Sequence, residues 1–209
     1  MPADRVILLR HGESTWNAEG RRQGQLDPPL SALGRSQAEA VASALAEEAA
    51  ISEIVASDLA RAWRTAEACA ERLGVAPATD TRLREMDIGR WAGQLRGAVE
   101  AAEPERLARI TAGEDLPRGG AERLADLHAR VTAAVAERVE ACPGGTLLIV
   151  SHGGPVRVQV ASLLGCEGAA AQAIERPANA ARTLLVRAGD GRWRLAYHNY
   201  PPPPAAKIP

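Results

Sequence analysis

Val6-Ile7-Leu8-Leu9-Arg10-His11-Gly12-Glu13-Ser14, near the start of the chain, and Thr146-Leu147-Leu148-Ile149-Val150-Ser151-His152-Gly153-Gly154, about two thirds of the way along, share one design. In each, an apolar run of strand character gives way to a polar residue, a histidine and a glycine. Parallel sheets bury such continuous runs on both faces. Both segments are therefore predicted to be buried strands, with His11 and His152 just past their carboxyl ends, which is where open α/β sheets place ligands. The 209 residues include four histidines, and two of them take these equivalent places, with Arg10 beside the first.

Outward from the first strand, read as Arg5 to Leu9, a loop marked by Gly20, Gly24, Pro28 and Pro29 leads to Ser31. Ser31 can cap a helix with Ala38, Val41, Ala42, Leu45 and Ala49 on one face. Ile54 to Ala56 reads as a short strand and Leu59 to Leu73 as a helix closed by Gly74. Residues 77–93 read as strand then loop. From Glu122, the recurrence of Leu124, Leu127, Val131, Ala134 or Val135, and Val139 predicts a helix. Thr146 to Val150 is the next strand, and Pro155 suits the first residue of a helix running to about Leu164. Residues 181–199 read as a hairpin around Gly189-Asp190-Gly191. Strands alternating with helices predict an α/β fold: a three-layer α/β/α sandwich around a mostly parallel central sheet. Residues 1–199 are expected to form one domain, and the Pro-rich 200–209 a disordered tail.

The charge balance narrows the partners. Lys and Arg together number 25 against 26 Asp and Glu, so no basic footprint for nucleic acid or an anionic membrane is present. A small soluble substrate fits better. The opening residues lack the flanks of a signal peptide and no apolar run reaches membrane-span length, so a cytoplasmic location is expected. Cys69, Cys142 and Cys166 are widely spaced without a CxxC pattern, which suggests neither a disulfide framework nor a zinc site. Lysine occurs once, as Lys207, so nearly every internal positive charge must be a guanidinium, whose planar fork suits phosphate.

A neutral imidazole is a good nucleophile near neutral pH. Arg10 beside His11 offers a forked donor to an oxyanion, and Gly12 lets a ligand approach the backbone. His152 sits between a strand and a helix N-terminus, whose free N–H groups favour an anion.

RHGESTWN (10–17), RRQGQLDPPLSALGRSQA (21–38), SDLARAWRTA (57–66), LREMDIGRWAG (83–93) and VSHGG (150–154) resemble, in this order, the motifs of the histidine phosphatase superfamily, in its phosphoglycerate mutase-like branch. Gly153 after the second histidine, where the acid phosphatase branch has Asp, favours this branch. The resemblance spans about Val6 to Asn199. It implies that His11 becomes phosphohistidine, that Arg10, Arg61 and His152 surround the phosphoryl group, and that Glu85 is the proton donor. Asn17, Gln23, Gly24 and the Gly153 N–H are then substrate contacts, with no metal and no cofactor. The residues alone leave other readings open. Arg61 could be a solvated helix arginine, Asn17 could make an Asx turn, and Glu13 or Asp87 could compete with Glu85. Trp16 and Trp91 could line the pocket or belong to the core.

The resembled mutase has a Tyr-Gly element, a lysine and an arginine pair after its acid residue. Here Glu85 is followed by MDIGRWAGQLRG (86–97), with no tyrosine and no lysine, which favours a phosphatase of small phosphomonoesters over a phosphoglycerate mutase. The chain also departs from the family's common Gly-Glu-Ser at GGAER (119–123), and Glu122 is given no catalytic role. A non-catalytic phosphate-binding or regulatory protein is the third reading, disfavoured because neither histidine nor any pocket arginine is lost. A small-molecule phosphate ester is the expected partner, and a homodimer is possible.

Overall fold

A computed structural model describes residues 2–166 and 168–204. Six strands, β1 (Arg5–Arg10), β2 (Ile51–Ala56), β3 (Pro77–Thr79), β4 (Thr146–Ser151), β5 (Arg182–Arg187) and β6 (Trp193–Tyr200), form one sheet in the order β3-β2-β4-β1-β5-β6. β3, β2, β4 and β1 run parallel, and β5 and β6 continue the sheet antiparallel. The helices are α1 (Thr15–Ala18), α2 (Ala32–Glu48), α3 (Ala60–Leu73), α4 (Arg96–Ala102), α5 (Pro104–Thr111), α6 (Leu124–Ala141), α7 (Gly153–Leu163) and α8 (Gly168–Ala173).

Alternation along β1 separates two cores. Val6 and Leu8 pack with Leu127, Val131 and Val135 of α6 and Val156 of α7. Ile7 and Leu9 pack with Val41 and Leu45 of α2 and Ala62 and Ala66 of α3. Each such aliphatic side chain, once buried, contributes about 1.5–3 kcal/mol, which makes β1 the strand least able to shift. The chain leaving β1 goes to the α2 face and the chain leaving β4 to the α7 face, so a crevice opens between these neighbours at their carboxyl ends. Register places the histidines there together: Arg10 lies opposite Ser151, and His11 and His152 are each one residue further on.

Several boundaries differ from the sequence reading. β2 starts at Ile51 rather than Ile54, because its register shifts between Ile51 and Glu53 and the polar Ser52 and Glu53 mask the pattern. α7 starts at Gly153, so Pro155 is its third residue; the first turn has no use for the missing N–H there either. α4 and α5 lie in a stretch without a clear apolar period and were not expected. Tyr200 ends β6 instead of opening a tail, opposite Arg182, and the Pro201 carbonyl accepts from Arg182 Nη1 at 3.2 Å. Of the tail expected to be disordered, 205–209 lie outside the described residues.

Candidate active site

His11 is 2% exposed, and its backbone N–H donates to the Ser151 carbonyl at 2.9 Å, extending the β1–β4 ladder by one rung. Gly12 cannot be otherwise: a Cβ would come within 2.3 Å of the Gly34 carbonyl oxygen in the first turn of α2. The Gly12 N–H donates to Thr65 Oγ1 at 3.1 Å, and its carbonyl accepts from Asn179 Nδ2 at 3.3 Å and from His11 Nδ1 at 2.6 Å. A carbonyl only accepts, so Nδ1 carries the proton and Nε2 presents a lone pair. Burial, then the Arg61 and Arg10 charges, hold the His11 pKa well below its usual value. The ring is therefore neutral, the form a nucleophile needs.

The His152 ring lies 5.1 Å from that of His11, centroid to centroid, edge to face. It is fully buried. Nε2 is 2.8 Å from Ser57 Oγ at the end of β2, while Nδ1 is buried without a partner among the described residues. Burial and the Arg61 charge again push its pKa well below the ordinary range. A buried polar atom left unpaired is costly; His152 stands behind His11 and is not among the residues that line the cavity. His152 also precedes α7, whose first N–H groups, including that of Gly153, are left over by the helix.

Two arginines, Arg61 buried and Arg10 half-buried, complete the inner wall. Arg61, 1% exposed on α3, donates to the carbonyls of Gly24 and Leu26, each at 2.8 Å. Arg10 donates to the Pro177 carbonyl at 2.7 Å. Each keeps a buried Nε without a partner, and burial lowers each pKa to about 10, so both stay charged at neutral pH. The alternative of a solvated Arg61 is excluded by its burial.

Glu85 is half-buried, with Oε1 accepting from the Met86 N–H at 2.9 Å and Oε2 from the Gly154 N–H at 3.2 Å. A Cβ on Gly154 would lie 2.2 Å from Oε1, so only glycine leaves room for this carboxylate. Arg130 of α6 braces the loop from behind, donating to the carbonyls of Arg82 and Arg84 at 2.7 Å and of Glu85 at 3.0 Å. Glu122 pairs with Arg130 at 2.6 Å and accepts from the Asp87 N–H at 2.9 Å. Glu13 instead accepts from Ser31 Oγ at 2.7 Å and Asp87 caps the Gly89 N–H at 2.9 Å; neither lines the cavity.

Asn17 Oδ1 accepts from the Ser14 N–H at 3.2 Å and from Asn179 Nδ2 at 3.1 Å, and Gln23 Oε1 accepts from Ser14 Oγ at 2.9 Å. In both amides the oxygen is thus occupied, and the NH₂ group makes no hydrogen bond among the described residues. Gly24 has φ +54°, and a Cβ there would strike Ile88 at 2.6 Å. These residues, with His11, Arg10, Arg61, Glu85 and Gly153, surround one cavity of about 340 Å³. Trp91 does both tasks weighed for it, being buried and lining the cavity; Trp16 does not line it. Sequence reading missed Ser57, Thr65, Gly154, Asn179 and the Arg130–Glu122 brace. Gly154 was visible as the second glycine of SHGG, whereas Asn179 lies far from every motif.

The family model for the histidine phosphatase superfamily (branch 1) matches residues 6–201. The chain belongs to this superfamily. This histidine phosphatase is 39% identical over 204 residues to the glucosyl-3-phosphoglycerate phosphatase of Mycobacterium tuberculosis, covering 92% of this chain and 88% of that one. It is 40% identical over 161 residues to a protein of Salmonella choleraesuis named "Probable phosphoglycerate mutase GpmB", covering 77% of this chain and 74% of that one. Among solved structures, a mycobacterial glucosyl-3-phosphoglycerate phosphatase in complex with VO3 superimposes with a TM-score of 0.87 at 36% identity, covering 95% of this chain and all of that one.

Among the described residues no group of three or more His, Cys, Asp or Glu could hold a metal ion, and no helix is long and apolar enough to cross a membrane. The cationic groups that line the cavity with His11 are guanidiniums, and the neutral N–H groups that open α7 add only the positive end of a dipole.

Proposed function

We propose that His11 Nε2 is the nucleophile of a phosphatase acting on small phosphomonoesters, and that the lone pair fixed by the Gly12 carbonyl is the observation that carries this reading. The nitrogen attacks phosphorus, the P–N bond forms, and the ester P–O bond breaks. Glu85, in its protonated form, gives its proton to the leaving oxygen; as a carboxylate it then takes one from the water that attacks phosphohistidine, releasing phosphate and regenerating His11. Arg10, Arg61 and the Gly153 N–H hold the phosphoryl oxygens, His152 backs the His11 ring, and the Asn17 and Gln23 amides contact the substrate. Phosphoryl transfer depends mainly on positioning and charge stabilisation, so these groups suffice without a metal, and dialysis against EDTA should leave activity intact.

The relatives named for glucosyl-3-phosphoglycerate support a phosphorylated glycerate derivative as the substrate. Hydrolysis is favoured over mutase chemistry because residues 86–121 contain neither tyrosine nor lysine. A cytoplasmic location and a homodimer belong to the same proposal. The test measures phosphate release from glucosyl-3-phosphoglycerate and follows 2-phosphoglycerate formed from 3-phosphoglycerate with and without 2,3-bisphosphoglycerate. Rapid phosphate release supports the proposal. Rapid isomerisation dependent on the bisphosphate, with little release, assigns the mutase reading instead.

A further inference from the structure

We propose that Asn179 is a positioning residue of the phosphoryl transfer, whose amide pins the Gly12 carbonyl and, through it, the His11 tautomer that leaves Nε2 free to attack phosphorus. This rests on the phosphatase reading of the same site.

The His11 ring depends on one acceptor. Nδ1 lies 2.6 Å from the Gly12 carbonyl oxygen, and which nitrogen of a neutral imidazole carries the proton is set by the hydrogen bond the other makes. Gly12 has no Cβ to stiffen its peptide, so a carbonyl that turned away would let the proton move to Nε2 and remove the lone pair. A carbonyl oxygen has two lone pairs. Nδ1 takes one at Gly12, and Asn179 Nδ2, at 3.3 Å, takes the other. The same NH₂ group lies 3.2 Å from the His11 carbonyl oxygen and 3.1 Å from Asn17 Oδ1. All three partners are oxygens, and Asn17 Oδ1 is itself fixed as an acceptor by the Ser14 N–H at 3.2 Å. The Asn179 amide can therefore meet them only with its NH₂ group, whose two hydrogens are shared among the three. Asn179 is not among the residues that line the cavity, so it acts through His11 and not on the substrate.

The segment that carries Asn179 is built to hold it there. The Ala180 N–H donates to the His11 carbonyl at 3.0 Å and the Ala181 carbonyl accepts from the Arg10 N–H at 3.1 Å, so the chain before β5 follows β1 past its end. Ala180 is buried with φ +54°, and it and Asn199, at φ +53°, are the only non-glycine residues of positive φ among the described residues. A left-handed alanine persists only where the surrounding contacts over-determine it. Here two consecutive residues, through the Asn179 amide and the Ala180 N–H, reach the same His11 carbonyl. Asn199 braces the segment from β6, its Oδ1 accepting from the Ala178 N–H at 2.7 Å. His198 beside it donates through Nε2 to the Glu175 carbonyl at 3.0 Å, with Nδ1 2.8 Å from Thr183 Oγ1. Between these braces and Asn179, the Pro177 carbonyl holds Arg10 at 2.7 Å. One strap thus aligns the nucleophile and the guanidinium next to it.

The test compares the unsubstituted enzyme with Asn179→Ala and with Asn179→Asp, which keeps the size of the side chain but sets a carboxylate without a donor against three oxygens. Asn179 is half-buried on a connecting segment, and both variants keep the backbone bonds of Ala180 and Ala181, so the fold is retained. The pre-steady-state phosphorylation rate should fall about 10- to 100-fold with p-nitrophenyl phosphate and by the same factor with 3-phosphoglycerate, as expected of a misplaced nucleophile and not of a lost acid. A second readout follows the ring itself, by ¹⁵N spectra of histidine-labelled protein in which the His11 signals are assigned by their loss in His11→Ala. The unsubstituted enzyme should show His11 protonated on Nδ1 alone, and both variants a mixture of the two tautomers. A phosphorylation rate within about twofold of the unsubstituted enzyme, or a His11 ring that stays protonated on Nδ1 alone in both variants, overturns the role. Failure of the phosphatase reading looks different: the unsubstituted enzyme then gives no burst with either ester.

Discussion

Arg61 and Arg96 face the same cavity from opposite circumstances. Arg61 is buried on α3, both Nη atoms held by carbonyls of the loop at Gly24 and Leu26; Arg96 is exposed at the start of α4, its side chain without a hydrogen bond among the described residues. The inner end of the cavity is thus assembled before any ligand arrives, from strand ends that the sheet register fixes. The mouth, where Arg22, Arg96, Arg118 and Arg176 stand, is built on connecting segments and turns, with charges left for a ligand to neutralise. In the proposed account the inner end performs chemistry common to phosphate esters, and the mouth selects among them.

Substitutions at the inner end should separate the two regions most sharply. His11→Ala should lower kcat by about 10⁴-fold or more, the scale on which loss of a covalent nucleophile acts, for every ester alike. A loss that depends on the alcohol would break the division of labour. Glu85→Gln should cost about 10²–10⁴-fold in the phosphorylation step with alkyl phosphates and far less with p-nitrophenyl phosphate, whose leaving group is already a stable anion. Pre-steady-state bursts isolate that step, and equal losses would move the acid role away from Glu85. Gly154→Ala should reproduce the Glu85→Gln pattern at about 10²-fold, because the new Cβ displaces the carboxylate without removing it. Glu122→Gln, which loosens the Arg130 brace behind the Glu85 loop, should lower kcat a few-fold and leave KM near its starting value.

The smallest effect is on stability. His11 and His152 keep pKa values well below 6.5 in the fold, whereas the unfolded chain takes up protons as pH falls through about 6.5. Proton uptake then favours unfolding, so the urea midpoint should fall between about pH 7 and about pH 5. A midpoint that stays flat or rises would show that these rings are protonated in the folded protein.

The same division explains what was legible in the sequence. β1 and β4 were readable because strands buried on both faces are continuous apolar runs, and the motif at each end follows directly from its strand. The helix from Leu124 was readable from its period. α4 and α5 were not, since residues 96–111 alternate alanine with charge and bury only Val99. Arg10, Arg61 and Glu85 were proposed through family motifs. Spacing alone could not choose Glu85 over Glu13 or Asp87, because the choice depends on which carboxylate meets the Gly154 N–H across 69 residues. Arg118 and Arg176 gave no signal, as each is one arginine among many and gains meaning only where separate segments converge.

The central claim is that His11 Nε2 forms a bond to phosphorus. Brief mixing with a ³²P-labelled phosphomonoester, rapid quenching in alkali and peptide mapping tests it directly. The account predicts label on the peptide containing His11, stable in alkali and lost in acid, as a phosphoramidate is, and absent from the His11→Ala protein. Label that survives acid, or that remains on another residue when His11 is replaced, would contradict it.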